Sequence, residues 1–225
     1  MRLADLTSAD LGARTAPPFL AVPLGATEQH GPHLPLGTDT TVAVELCGRL
    51  AAARTDIVVA PAIAYGSSGE HSGFPGTLSI GHRALELLVV ELVRSADEFA
   101  GVILVNGHGG NLAPLRAAQR LLTEEGRTTL LWSPTGPADD THAGHTETSA
   151  MLHLTPDRVA MQRARPGNTD PLPALIADLR SGGVRAVSPT GILGDPTHAT
   201  AAAGAQILEH WAEHLLAAVN QRFPQ

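Results

Sequence analysis

The sequence contains a single cysteine, Cys47, among its 225 residues, and this excludes an internal disulfide bond. Cys47 shares a helical spacing with Ala43, Leu46 and Leu50, which predicts a buried thiol with a packing role. The first residues lack the apolar core of a secretory signal, and no run approaches the roughly 18 consecutive apolar residues of a membrane-spanning helix. We therefore expect a reduced, cytoplasmic protein without a membrane partner.

Basic and aromatic residues are also scarce. The chain has 15 Lys and Arg residues against 22 Asp and Glu residues, for a formal net charge of −7, and only 3% of its residues are aromatic. A surface that binds nucleic acid needs concentrated positive charge, and single-stranded ligands add a need for aromatic platforms. Because neither signal is present, we expect no nucleic-acid partner.

Hydrophobic residues make up 43% of the chain, which has 23 glycines and 17 prolines. This content predicts one large α/β domain over residues 1–225, with a polar lead-in at residues 1–17. Strands are predicted at 19–24, 57–64, 102–105 and 128–132. Helices are predicted at 40–53, 82–98, 112–125 and 173–180, and a further short helix is predicted to end near His153. A last, long helix is predicted after Asp195 and Pro196, which would be its N-cap and first residue. The alternation predicts a mainly parallel sheet with helices on both faces.

The segment from Gly25 to Thr41 follows the first predicted strand and carries Glu28, His30, His33 and Asp39. Glu28 and His30 are two residues apart, so in an extended backbone their side chains point to the same side. A Glu-x-His pair alone is common, and Asp39 can also be interpreted as the N-cap of the following helix. The segment indicates a strand that delivers metal-type ligands into a loop.

Two later segments place further ligand-type residues next to predicted elements. His108 lies among glycines directly after the third strand, and Glu147 opens a short helix. A phosphate-cradling or plain turn is the alternative for His108, although the glycine spacing is not that of a dinucleotide site. For Glu147 the alternative is a favourable interaction with the helix dipole. Because sites in parallel sheets form at the carboxyl ends of the strands, these residues are expected to meet there.

Taken together, these positions supply five nitrogen and oxygen ligands: Glu28, His30, Asp39, His108 and Glu147. They are enough for two divalent metal ions if one carboxylate bridges them, and the mixed donor set suits Zn, Mn or Fe better than Mg or Ca. Two such ions would bind a bridging water and polarise a carbonyl, which permits amide hydrolysis without a protein nucleophile. His142 is the candidate general acid for the leaving nitrogen, with a supporting or surface role as its alternative.

Three motifs together resemble the creatininase family of metal-dependent amidohydrolases: Gly25 to Asp39, Asn106 to Asn111, and His142 to Ser149. The resemblance covers about residues 20–215. It implies a three-layer α/β/α creatininase-like fold with a mainly parallel sheet, a binuclear metal site and assembly into homo-oligomers, with a hexamer as the expected form. Position by position, it implies that the five residues above are metal ligands with Asp39 as the bridge, that His142 is catalytic, and that His33 has a supporting role.

One position departs from the pattern of creatininase itself. That enzyme has an acidic ligand two residues after the loop histidine, whereas this chain has Gly110. Glu147 is therefore expected to fill that coordination position, and creatinine is not the expected substrate. Segments 61–71, 145–149 and 191–200 are similar to a peptidase branch of the family. This likeness implies a role in mycofactocin biosynthesis, with a ribosomally made precursor peptide as substrate and release of its modified C-terminal Val-Tyr dipeptide.

The turn-rich segment after the second strand supplies candidates for the substrate pocket, namely Glu70, His71 and Phe74. An ordered loop at a subunit interface is the alternative for this segment. Two other functions remain open. The chain can be another creatininase-like amidohydrolase that acts on a small cyclic or formylated amine, or a catalytically silent scaffold that binds metal and presents the precursor peptide.

Overall fold

The computed structural model describes residues 1–224, in which four parallel strands form one sheet in the order β2-β1-β3-β4. The strands are β1 at Phe19–Leu24, β2 at Ile57–Val59, β3 at Gly101–Asn106 and β4 at Thr129–Trp132. The first strand is central, and Leu20 pairs with Val58 on one side and with Val102 on the other. The chain therefore adds β2 on one side of β1 and then crosses to the other side, where it adds β3 and β4.

Eight α-helices surround this sheet in the described part of the chain. They are α1 at Ser8–Gly12, α2 at Thr38–Ala53, α3 at Gly81–Arg94, α4 at Leu112–Glu124, α5 at His145–Leu154, α6 at Leu172–Gly182, α7 at Val184–Val187 and α8 at Ala201–Arg222. Among residues 1–224, none of these helices combines the length and apolar character needed to cross a bilayer.

The two faces of the sheet pack on different helices. Ala21 and Ile103 point to the face covered by α2, α5 and α8, whereas Leu20, Val22 and Leu104 point to the face covered by α3 and α4. Successive residues of a strand alternate between faces, so each strand contributes to both cores. This arrangement confirms the three-layer α/β/α fold with a parallel sheet.

The second strand is shorter than the predicted range 57–64. Regular pairing ends at Val59 because the chain then takes one residue more than β1: Ala21 pairs with Val59, whereas Leu24 pairs with Ile63. The Ala60 amide still donates to the Ala21 carbonyl at 2.8 Å, and the Ile63 amide donates to the Pro23 carbonyl at 2.9 Å. The extended direction of the chain was therefore predicted correctly, but the strand length was wrong.

Three predictions about helix ends were also wrong. The last helix begins at Ala201, where the Thr200 hydroxyl accepts a hydrogen bond from the Ala203 amide, so the N-cap pair at residues 195–196 is not used. The helix predicted at 82–98 ends at Arg94. Asp39 is not an N-cap, because α2 already begins at Thr38 and Gly37 occupies the cap position. The polar lead-in also contains α1, which begins with a capping box between Thr7 and Asp10.

Candidate metal centre

The ligand-type residues converge at the carboxyl ends of the two central strands. Glu28 and His30 lie in the loop after β1, Asp39 lies in the first turn of α2, and His108 directly follows β3. Because β1 and β3 are adjacent and parallel, the two loops emerge side by side. All four side chains are buried. Glu147 reaches the same place from the first turn of α5.

Asp39 is at the middle of this cluster. Its Oδ1 atom lies 2.9 Å from Nε2 of His30, and its Oδ2 atom lies 3.4 Å from Nδ1 of His108. Oε2 of Glu28 is 3.2 Å from Nε2 of His108, and Oε2 of Glu147 is 3.9 Å from Nε2 of His30. The two oxygens of Asp39 therefore face two different groups of ligands.

These groups have the donor types and spacing of metal sites. Two sets share Asp39: one is formed with Glu28 and His108, and the other with His30 and Glu147. A third set consists of Glu28, His30 and His142, and in each set the donor atoms lie within 4.8 Å of one another. Both Glu28 oxygens and Oδ2 of Asp39 are buried without a hydrogen-bond partner. Leaving buried carboxylate oxygens unpaired is costly, and a divalent cation would satisfy them. The residues present therefore fit divalent metal ions held by oxygen and imidazole ligands.

The histidines and carboxylates perturb one another strongly. Burial lowers the pKa of His30, but the charge and hydrogen bond of Asp39 outweigh it and raise the pKa to about 10. Burial likewise opposes protonation of His108, and its contact with Glu28 raises the pKa to about 9. Burial favours the neutral form of Glu28, yet the neighbouring His108 holds the pKa of that carboxyl well below its usual range. The histidines around Glu28 thus stabilise the ionised form of that carboxylate.

Glu147 and His142 complete the cluster from the side of α5. Burial raises the pKa of Glu147 to about 7, and its Oε2 atom accepts a 2.5 Å hydrogen bond from the Ala143 amide. His142 is buried, with Nδ1 at 3.8 Å from Oε1 of Glu28. Burial lowers the pKa of His142 well below its usual value, and the charge of His30 lowers it further. His142 is therefore a neutral imidazole at the edge of the ligand groups.

Gln29 was not identified by sequence reasoning, although it lies between Glu28 and His30 in the motif. Its amide nitrogen is 2.8 Å from Nδ1 of His71 and 3.0 Å from Nε2 of His142. The Gln29 main-chain carbonyl oxygen lies 2.8 Å from the same Nε2 atom. The side-chain amide can donate to this nitrogen and the carbonyl can accept from it, so Gln29 offers a partner to either tautomer of His142. The only available signal was the position of Gln29 between two ligand-type residues.

Several contacts hold the start of α5 in place. The Asp140 carboxylate accepts hydrogen bonds from the amides of His145 and Thr146, both at 2.8 Å. Nε2 of His33 lies 2.8 Å from the Thr148 hydroxyl, one residue after Glu147. These bonds fix the first turn of α5, which carries Glu147. His33 therefore contacts α5 and not the ligand groups themselves.

The predicted pocket residues separate into two groups. Nε2 of His71 lies 3.2 Å from Oε1 of Glu28, and Oε1 of Glu70 lies 3.6 Å from Nε2 of His108, so both reach the cluster. Phe74 instead lies beneath the Arg185 guanidinium, whose Cζ atom is 5.6 Å from the centre of the Phe74 ring. A cavity of about 610 Å³ adjoins Glu70 and is also lined by Arg180 and residues at the start of α3.

The fold and this cluster define an α/β/α protein with a candidate divalent-metal site at the carboxyl edge of a parallel sheet. A family model described as creatinine amidohydrolase (Creatininase) matches residues 4–219. The chain therefore belongs to the creatininase family, and it is an enzyme that hydrolyses C–N bonds.

Curated relatives and solved structures agree with this assignment. The chain is 56% identical over 197 residues to a mycofactocin precursor peptide peptidase of Mycolicibacterium smegmatis, a match that covers 84% of this chain and 79% of the relative. It is 48% identical to the protein of the same name in Mycobacterium tuberculosis, over 99% of this chain and 92% of the relative. Among solved structures it is similar to a creatininase variant of Zn–Zn type, with 26% identity, a TM-score of 0.81, and coverage of 100% of this chain and 98% of that one.

Proposed function

We propose that this chain is a metal-dependent peptidase of mycofactocin biosynthesis, which releases the modified C-terminal Val-Tyr dipeptide from a ribosomally made precursor peptide. The observation that carries the proposal is the pair of ligand groups that share Asp39, in a chain whose curated relatives are named for this peptide. The buried, unpaired oxygens of Glu28 and Asp39 support metal binding independently of those names.

In this proposal, Glu28, Asp39 and His108 hold one divalent ion, and His30, Asp39 and Glu147 hold a second, with Zn, Fe or Mn as the candidates. When bound, such ions lower the pKa of water and polarise a carbonyl oxygen. The surrounding buried side chains exclude bulk water, which strengthens each electrostatic interaction within the site.

His142 is proposed to move the proton. In the tautomer in which Nε2 donates to the Gln29 main-chain carbonyl, the lone pair of Nδ1 faces the cluster near Glu28. A neutral imidazole in that orientation can accept a proton from the attacking water and pass it to the departing nitrogen. During the reaction the C–N bond breaks, a C–O bond forms, and the nitrogen leaves as an amine. The cavity beside Glu70 is the proposed place for the peptide. Glu70 lines this cavity, and His71 and Phe74, from the same turn-rich segment, are the other candidate binding residues.

The test is to incubate the full chain, loaded with Zn, Mn or Fe, with the modified precursor peptide and to follow release of the dipeptide by mass spectrometry. Creatinine and a formylated amine serve as competing substrates in parallel reactions. Release of the dipeptide without turnover of creatinine or the formylated amine supports the proposal. Turnover of a small amine without peptide cleavage would show that another amidohydrolase activity is correct, and turnover of none of them would favour the scaffold.

A further inference from the structure

Glu70 lies at the boundary between the metal centre and the adjoining cavity. Its Oε1 atom is 3.6 Å from Nε2 of His108, and the rest of its side chain lines the cavity of about 610 Å³. The side chain retains 31% exposure, while that of His108 retains 5%. Glu70 is thus the carboxylate that approaches His108 from the solvent side, opposite Asp39.

The contact depends on the absence of a side chain at residue 110. A Cβ atom on Gly110 would overlap the Glu70 carboxylate, and it would lie 2.6 Å from Nε2 of His108. Gly110 therefore leaves open the space through which Glu70 reaches the imidazole. The neighbouring Gly109 is different, because a Cβ atom there would meet nothing within 4 Å.

The backbone of Glu70 is held independently of this contact. Glu70 belongs to the 3-10 turn at Gly69–His71, and Gly183 packs so closely on it that a Cβ there would lie 2.6 Å from the Glu70 carbonyl oxygen. Gly183 has φ +70°, a conformation that favours glycine. The turn is therefore fixed between the junction of α6 and α7 on one side and the loop of His108 on the other.

Three oxygens surround Nε2 of His108: the Ser67 carbonyl oxygen at 3.0 Å, Oε2 of the buried Glu28 at 3.2 Å, and Oε1 of Glu70 at 3.6 Å on the side of the cavity. Nδ1 of that ring faces Oδ2 of Asp39. Histidines that ligate metals commonly donate their other N–H to a carbonyl or carboxylate, which fixes the ring and raises its basicity. With Nδ1 directed at Asp39, the Ser67 carbonyl is the hydrogen-bond acceptor for Nε2, and the Glu70 carboxylate adds negative charge beside that N–H.

We infer that Glu70 is a positioning residue for His108, admitted by Gly110, which increases the affinity of the metal centre by orienting and polarising the imidazole. The inference rests on the metal centre of the proposed function and adds a residue that acts through a ligand without being one. Glu70 also couples the centre to the cavity, since a peptide that fills the cavity touches the group that orients His108.

The experiment compares Glu70→Gln with the wild-type chain and with Glu124→Gln, an exposed carboxylate at the end of α4. Metal-free protein is titrated with Zn²⁺ by calorimetry, and the visible spectrum of the Co²⁺ form is recorded. Glu70→Gln should weaken Zn²⁺ binding by about 10- to 100-fold and shift the Co²⁺ bands, with the same number of ions bound and unchanged melting of the metal-free protein. Glu124→Gln should match the wild type.

Wild-type affinity in Glu70→Gln would overturn the inference, and so would a loss of affinity accompanied by an equal loss of stability in the metal-free protein, since that result indicates only a structural role. A reduced number of bound ions would also overturn it, because Glu70 would then be a direct ligand. If the wild-type chain binds no Zn²⁺, the proposed metal centre itself fails. Failure to cleave the peptide despite tight Zn²⁺ binding would count against the proposed substrate alone.

Discussion

At the scale of single residues, Asp39 shows how one side chain joins two groups of ligands. It lies at the second position of α2, and its two oxygens face His30 and His108. The sequence indicated both a capping role and a bridging role for Asp39. The structure contradicts the capping role, because Gly37 occupies the N-cap position, and it leaves the carboxylate directed at the histidines.

The first prediction separates ligands from the proton-transfer residue. Glu28→Gln removes a buried negative charge whose oxygens have no hydrogen-bond partner and are expected to coordinate the cation, so both metal content and activity should be lost. His142→Ala should keep its metal and slow cleavage by about 10²- to 10⁴-fold, the usual contribution of a general acid or base. Elemental analysis and peptide turnover check both variants. Equal metal loss in the two would refute the role of His142.

A second prediction at this scale uses neighbouring glycines. In Gly110→Ala the new methyl group meets the Ser67 carbonyl as well as Glu70 and His108, so metal affinity and activity should both fall by at least about tenfold. Gly109→Ala has open space around its methyl group and should behave like the wild type. Calorimetric Zn²⁺ titration of the two variants is the measurement. Similar behaviour of the pair would show that the close packing at Gly110 is not needed.

At the scale of elements, α5 and α8 pack unusually closely, and α5 carries Glu147. A Cβ atom on Gly204 of α8 would overlap the Ser149 carbonyl and lie 3.0 Å from the Ala150 amide nitrogen. Glycine at this point lets the two backbones approach each other. The position of Glu147 therefore depends on a glycine more than fifty residues further along the chain, a dependence that local sequence patterns do not reveal.

Matched glycine substitutions test this packing. Gly204→Ala should lower the free energy of unfolding by about 1–3 kcal/mol, since the backbone of α5 has to move to admit the methyl group. Gly48→Ala, at an exposed position in α2 with nothing within 4 Å, should raise it by about 0.5–1 kcal/mol through improved helix propensity. Urea denaturation followed by circular dichroism gives both values. A neutral Gly204→Ala variant would contradict the close approach of α5 and α8.

At the scale of the whole molecule, the candidate metal centre joins the layers, because the residues proposed as its ligands come from the loops after β1 and β3 and from α2 and α5. Ions that bind only the native state stabilise it by mass action. The gain is about 2.7 kcal/mol when the free ion concentration is a hundred times the dissociation constant. Removing metal with a chelator should therefore lower the melting temperature by roughly 5–10 °C for a chain of this size, and added Zn²⁺ should restore it. Melting that is insensitive to the chelator would argue against bound ions that stabilise the fold.

Assembly is a separate prediction at this scale. The family resemblance implies hexamers, and α3 exposes apolar side chains, with Leu87 at 61% exposure and Leu88 at 38%. Apolar side chains exposed together on one helix are typical of surfaces that associate. Light scattering should give six times the chain mass of 23.3 kDa. A monomer mass at micromolar concentration would show that the family's assembly is not shared by this chain.

The sequence by itself determined the order of strands and helices, the parallel sheet and the motifs that carry Glu28, His30, Asp39, His108 and Glu147. These features are encoded locally, in hydrophobic periodicity and in short motifs at the ends of strands. Only the tertiary structure decided which atoms meet: the shared position of Asp39, the hold of Gln29 on His142, the approach of Glu70 through Gly110, and the placement of Phe74 under Arg185. Those contacts join residues that are far apart in the chain. They depend on side-chain packing and on the space between backbone segments, and local sequence patterns reveal neither.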